Sequence, residues 1–171
     1  MFFIEDNNFL TEQQKNDIDL LLKSGEIPFY MSLEAAKPND GGINFVHHIV
    51  HRDRPEEINS NFYSFFVSIL DNFCKKNNLK YSKIHRCAIN ITLNNGTINK
   101  CPIHKDHTFK HNQLLIYLNE SNGDTVILDD NNRIFKISEP EKFKGIAFNS
   151  LPHYHYFPNK GIRVVAIITF N

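Results

Sequence analysis

The change of hydrophobic period at Tyr81 is the strongest constraint on how this chain can fold. Beyond it, apolar residues alternate with polar ones or gather in short blocks at 83–93, 113–118, 125–128, 133–137, 145–148, 153–157 and 163–170. Turn-forming Asn, Gly, Pro and Asp separate the blocks. Connections this short leave no room for the crossover helices that a parallel sheet needs, so the strands should pair antiparallel in a sandwich or barrel. The expected fold class is mostly β: a double-stranded β-helix (jelly roll) with N-terminal helices packed on one sheet.

Before Tyr81 the period is helical. Thr11-Glu12-Gln13-Gln14 has capping-box form, Ile18, Leu21 and Leu22 recur at helical spacing, and Gly25 is a stop signal. A helix is predicted over 11–24. Segments 27–33 and 43–50 read as extended, on either side of a loop at Ala36-Lys37-Pro38-Asn39-Asp40-Gly41-Gly42. Phe62, Phe65, Phe66, Ile69, Leu70 and Phe73 then form an apolar stripe, predicting the main amphipathic helix over 59–78. The stripe is most simply core.

The chain has 171 residues, which is one domain's worth. Residues 1–80 are expected to be a helical and extended support region, and 81–171 the jelly-roll core with the site. Lys+Arg and Asp+Glu both number 19, so the net charge is zero. A protein dedicated to coating nucleic acid or a membrane surface would carry a basic excess, and neither partner is expected. Cys74, Cys87 and Cys101 form no CxxC pair and are odd in number, which fits a reducing compartment. Met1–Leu10 has neither a cationic stretch nor a long apolar run. A cytoplasmic protein is expected, in the host cytoplasm if the source is viral.

The nine histidines are the feature that points to chemistry, since imidazole is the commonest metal ligand. Two His-x-Asp triplets occur, His51-Arg52-Asp53 and His104-Lys105-Asp106. In an extended segment, residues two apart share a side, so either triplet offers an imidazole and a carboxylate to one ion. The first runs into Arg54-Pro55-Glu56-Glu57 and reads as a charged helix entry. The second follows Pro102, precedes the apolar block Leu114-Leu115-Ile116-Tyr117-Leu118, and lies at a strand rim. His153 and His155 are candidates for a third ligand. Arg163 opens a strongly apolar final strand, where a guanidinium facing inward is costly unless it meets an anion.

This order of residues resembles the Fe(II)/2-oxoglutarate-dependent oxygenases, especially small prolyl 4-hydroxylase-like members, phage-encoded ones among them. The matching residues are His104, Asp106, His153 and Arg163. The run Gln113-Leu114-Leu115-Ile116-Tyr117-Leu118-Asn119 and the turn Gly123-Asp124-Thr125 also match, as does Gly145-Ile146-Ala147-Phe148-Asn149-Ser150 before the distal histidine. The likeness covers 81–171 well and the N-terminal half loosely.

The resemblance implies that His104, Asp106 and His153 hold Fe(II) on one face, leaving positions for 2-oxoglutarate and O2. It implies that Arg163 grips the distal carboxylate with a bidentate fork, that Tyr117 adds a hydroxyl there, and that Asn90 faces the co-substrate. The implied activity is a hydroxylase acting on a peptidyl, prolyl-like or small-molecule C–H bond, with release of succinate and CO2. Two departures stand: the Gly123-Asp124-Thr125 turn lacks one glycine, and Thr169 stands where a nucleic-acid-demethylating branch would carry a second Arg.

Two rivals come from other classes. A cupin-type metal enzyme not using 2-oxoglutarate could begin its motif at His153-Tyr154-His155, but no Glu follows within a few residues. A non-catalytic jelly-roll binding or structural module would not need His104, Asp106 and His153 to converge. Between the two distal histidines, the spacing to Arg163 favours His153. A three-residue hairpin loop around Asn159-Lys160-Gly161, pairing Phe157 with Arg163, would set both on one face.

Overall fold

The computed structural model describes residues 2–94, 96 and 98–171. The elements in order are β1 (Phe3–Asp6), α1 (Glu12–Ser24), β2 (Tyr30–Ser32), β3 (Asn44–His51), β4 (Arg54–Ile58), α2 (Tyr63–Lys76), β5 (Ile84–Leu93), β6 (Asn112–Tyr117), β7 (Thr125–Leu128), β8 (Ile134–Ser138), β9 (Gly145–Asn149), β10 (His153–His155) and β11 (Ile162–Phe170). A large antiparallel sheet has the order β1-β9-β6-β11-β5-β3-β2, with β4 also on β3. A small sheet, β10-β7-β8, faces it. This is the jelly roll expected from the strand pattern, with antiparallel pairing throughout.

The helices follow their sequence signals. Thr11 caps α1 through the reciprocal bonds of a capping box, Gln14 N–H to Thr11 Oγ1 at 3.1 Å and Thr11 N–H to Gln14 Oε1 at 3.0 Å. Gly25 ends the helix at φ 72°, a left-handed conformation that glycine adopts without a Cβ penalty. Helix α2 starts at Tyr63, later than the pattern suggested, because the preceding residues serve the sheet. Asn59 N–H donates to Ile49 O, and the Ser60 hydroxyl is taken by His47 Nε2 at 2.8 Å. Phe66, Ile69, Leu70 and Phe73 of α2 are fully buried.

The continuous apolar blocks in β5, β6 and β11 have a simple cause: the large sheet is buried on both faces. Its outer face, with Ile89, Leu114, Ile116, Ala166 and Ile168, packs with α1 and α2 in the main core. Its inner face, with Leu115, Tyr117, Ile146, Phe148 and Val165, packs with Ile127 of β7. The N-terminal half supplies strands as well as helices, since β1 extends the sheet beyond β9 and β3 extends it beyond β5. The stretch read as a charged helix entry is in fact the β3–β4 turn followed by strand β4. Among the described residues, no helix is long and apolar enough to cross a membrane.

Candidate metal centre

Residues 100–104 run antiparallel to β10 and bring the two strongest candidate ligands together. His104 N–H donates to His153 O at 3.0 Å, and His153 N–H donates to His104 O at 2.9 Å. Residues directly opposite in an antiparallel pair share a face, and the two imidazole centroids lie 4.5 Å apart. Asp106 follows two residues after His104 and is buried. Donor atoms of His104, Asp106 and His153 all lie within 4.8 Å of one another.

The protons in this group are fixed by the backbone. His104 Nδ1 lies 2.9 Å from Pro102 O, and His153 Nδ1 lies 3.0 Å from Leu151 O. A carbonyl can only accept, so each Nδ1 carries a hydrogen, and Nε2 is the ring atom left to serve a metal. Burial and the neighbouring His153 push the His104 pKa down to about 4, so the ring is neutral at pH 7. His153 Nε2 stands 3.5 Å from Asp106 Oδ2, a buried oxygen with no hydrogen-bond partner among the described residues. Two imidazole nitrogens and a carboxylate oxygen are the donor set of a first-row divalent ion.

The other carboxylate oxygen is held from behind. Arg86 of β5, buried, donates to Asp106 Oδ1 at 2.8 Å, and Arg52 from the β3–β4 turn reaches the same oxygen at 3.3 Å. Burial works to raise the Asp106 pKa, but His153 and Arg86 outweigh it and hold the carboxyl well below the usual range. Neither arginine was among the residues that the sequence singled out. Arg86 carried the same signal as Arg163, a cation inside an apolar strand. Arg52 carried none, because its role depends on the turn that aims it.

A cavity of about 250 Å³ runs from this group to Arg163 between the two sheets. Arg163 is 2% exposed and makes no ion pair among the described residues. Its Nε donates to Gly123 O and its Nη2 to Thr125 Oγ1, both at 2.8 Å. Gly123 is required there, since a Cβ would come within 2.5 Å of Tyr156 O and 2.9 Å of Arg163 Cδ. A buried guanidinium tethered by neutral acceptors lacks its own counter-charge, which suits an anionic ligand.

Tyr117 and Asn90 lie on the same inner face but differ in access. Tyr117 is fully buried beneath Arg163, whose Cζ stands 5.6 Å from the ring centroid. Its hydroxyl is already engaged, 2.8 Å from Thr125 Oγ1 and 3.1 Å from Ser138 O. Asn90 lines the cavity, and its buried Oδ1 has no hydrogen-bond partner among the described residues.

The other histidines divide by location. His47 is satisfied by Pro28 O and Ser60 Oγ. His48 and His51 line the cavity near Arg52, with ring centroids 4.6 Å apart. His85, His107 and His111 cluster with Phe109 beside a second depression.

The hairpin argument for the distal ligand is overturned. β10 pairs with β7 in the small sheet, whereas β11 pairs with β5 and β6 in the large one. Residues 156–161 therefore turn a corner between sheets, and Arg163 stands opposite Thr92, not Phe157. His153 joins the group for a different reason, its direct pairing with His104. His155, two residues on, lies against Cys101, with Nδ1 3.2 Å from Sγ.

A scan of protein-family models finds no match to the chain, and a search of curated proteins finds none. Solved structures do match. A 2OG-Fe(II) oxygenase family oxidoreductase from Burkholderia pseudomallei superposes with a TM-score of 0.79 at 15% identity, covering 99% of this chain and 84% of that one. A prolyl hydroxylase from Trichoplax adhaerens, in complex with a peptide fragment of the hypoxia inducible factor oxygen degradation domain, gives 0.66 at 16% identity, covering 98% and 82%. A Pseudomonas putida prolyl-4-hydroxylase gives 0.61 at 12% identity, covering 99% and 91%. At these identities the likeness is one of architecture: the chain is built on the jelly roll that an Fe(II)/2-oxoglutarate oxygenase and two prolyl hydroxylases share.

Proposed function

We propose that this protein is an Fe(II)- and 2-oxoglutarate-dependent dioxygenase, a hydroxylase that works as a single oxygenase domain in the cytoplasm. The observation that carries the reading is the pairing of two complementary sites in one cavity. At one end are three convergent donor groups, His104, Asp106 and His153. At the other is Arg163, a buried cation without an ion-pair partner among the described residues. A dianionic 2-oxo acid needs both, a metal for its oxo-carboxylate end and a guanidinium for its distal carboxylate.

In this reading His104, Asp106 and His153 hold the iron. Bound Fe(II) would supply the centre at which the 2-oxo acid is chelated and O2 is reduced. Arg86 and Arg52 hold Asp106 by Oδ1, which leaves Oδ2 to serve the ion. Arg163 sets the co-substrate's direction, with Tyr117 and Thr125 fixing the guanidinium from below. Asn90 faces the co-substrate from β5. The apolar inner face, including Leu115 and Val165, excludes water from the cavity floor. The products are succinate, CO2 and a hydroxylated C–H bond. The Trichoplax neighbour was solved with a peptide fragment, which supports a peptide substrate here, prolyl-like or otherwise. A small molecule is the second candidate.

Anaerobic titration with Fe(II), with and without 2-oxoglutarate, tests the reading. A weak visible charge-transfer band that needs both additions is expected. A metal complex indifferent to 2-oxoglutarate would favour a cupin-type enzyme, and no metal binding would favour a non-catalytic module.

A further inference from the structure

One polar group facing the cavity has no part in the reading so far. His155 Nε2 is buried, lines the cavity and has no hydrogen-bond partner among the described residues. The other ring nitrogen explains what this atom offers. Cys101 Sγ accepts the His155 backbone N–H at 3.3 Å and stands 3.2 Å from His155 Nδ1. Burial raises the Cys101 thiol to about 11, so it keeps its hydrogen at neutral pH. With one donor already arriving at sulfur, the S–H is satisfied by giving its hydrogen to Nδ1. A neutral ring that accepts at Nδ1 carries its own proton on Nε2. In this tautomer His155 aims an N–H into the cavity.

The fold sets where that donor points. His155 is two residues from His153 on β10, so the two share a face. It stands directly opposite Thr125 of β7, whose hydroxyl accepts from Arg163 Nη2 at 2.8 Å. The donor thus lies on the Arg163 side of the metal group. We propose that His155, held in this tautomer by the Cys101 thiol, is a second donor to the distal carboxylate of 2-oxoglutarate. This rests on the oxygenase reading. His155 binds the co-substrate, and Cys101 is a positioning residue that acts through it.

The test is calorimetric titration of Mn(II)-loaded protein with 2-oxoglutarate and, separately, with 2-oxobutyrate, which lacks the distal carboxylate. His155→Phe should weaken 2-oxoglutarate binding on the order of 10-fold to 100-fold, the range for losing a hydrogen bond to a charged group, and leave 2-oxobutyrate binding unchanged. His155→Gln, which keeps an N–H donor, should stay within a few-fold of the parent. Cys101→Ala should weaken 2-oxoglutarate binding several-fold, and Cys101→Ser should restore it by returning a hydrogen to Nδ1. Mn(II) affinity should not move in any variant. Equal 2-oxoglutarate affinity in His155→Phe and the parent would overturn the proposal, as would a parallel loss of 2-oxobutyrate or Mn(II) binding. If the parent itself bound Mn(II) but no 2-oxoglutarate, the oxygenase reading would fall first, an outcome distinct from the others.

Discussion

Replacing Arg86 with Met is the sharpest probe of how the metal group is held. The substitution keeps the volume and the apolar stem but removes the cation that lies 2.8 Å from Asp106 Oδ1. Breaking a buried ion pair by removing one partner typically costs about 3–5 kcal/mol, because the remaining charge is stranded. Arg52 still reaches the same oxygen at 3.3 Å, so the lower end, about 3 kcal/mol, applies to the metal-free protein. For a chain of this size that is a fall of about 6–12 °C in Tm. A divalent ion at Oδ2 returns positive charge to the carboxylate, so excess Mn(II) should recover much of the deficit in Arg86→Met.

The pH dependence has a definite sign. In the parent the folded-state pKa of Asp106 is depressed, so its stabilisation is present above the unfolded value of about 3.9 and is lost as pH falls through the folded value. Without Arg86, burial lifts the folded pKa and the carboxyl protonates sooner as pH falls. The stability gap between parent and variant should therefore be widest near pH 7 and narrow towards pH 4. Thermal unfolding in chelator and in Mn(II) across that range reads both effects. A gap under about 1 kcal/mol in chelator, well below the usual loss for a stranded buried charge, would refute the reasoning. So would a deficit that Mn(II) leaves untouched.

Three further outcomes follow from the same geometry. His153→Ala should abolish Mn(II) binding in calorimetry without unfolding the protein. Arg163→Ala should keep Mn(II) binding yet weaken 2-oxoglutarate at least about 10-fold, the scale of one lost charge-assisted hydrogen bond. Phe66→Ala, at a fully buried ring in α2, should cost about 3–5 kcal/mol in urea unfolding while leaving the Mn(II) affinity of the folded protein unchanged.

Much of this architecture was legible because local rules and tertiary demands agree. The Thr11 capping box, the Gly25 stop and the aromatic stripe of α2 are local signals, and both helices form over them, α2 starting only at Tyr63. His104, Asp106 and His153 were legible as types in order, without their arrangement. What brings His104 to His153 is pairing between residues far apart in sequence, which no local spacing encodes. The same limit explains the failed hairpin: adjacency in sequence suggested that β10 and β11 pair, but they belong to different sheets. β4 was hidden by its composition, since Arg54-Pro55-Glu56-Glu57 suits an exposed edge as well as a helix entry. Arg52 was hidden with it.

The burial of the large sheet on both faces sets how the gene can change length. Along β5, Arg86, Asn90 and Thr92 face the cavity while Cys87, Ile89 and Ile91 face the helices. A one-codon deletion inside β5 would exchange the two sets, sending a guanidinium into the helical core and withdrawing it from Asp106. Because neither face is solvent, no slipped register is tolerable, and the same holds for β11. The exposed turn between β7 and β8, residues 129–133, carries no such double duty, so insertions should accumulate there and not in the strands.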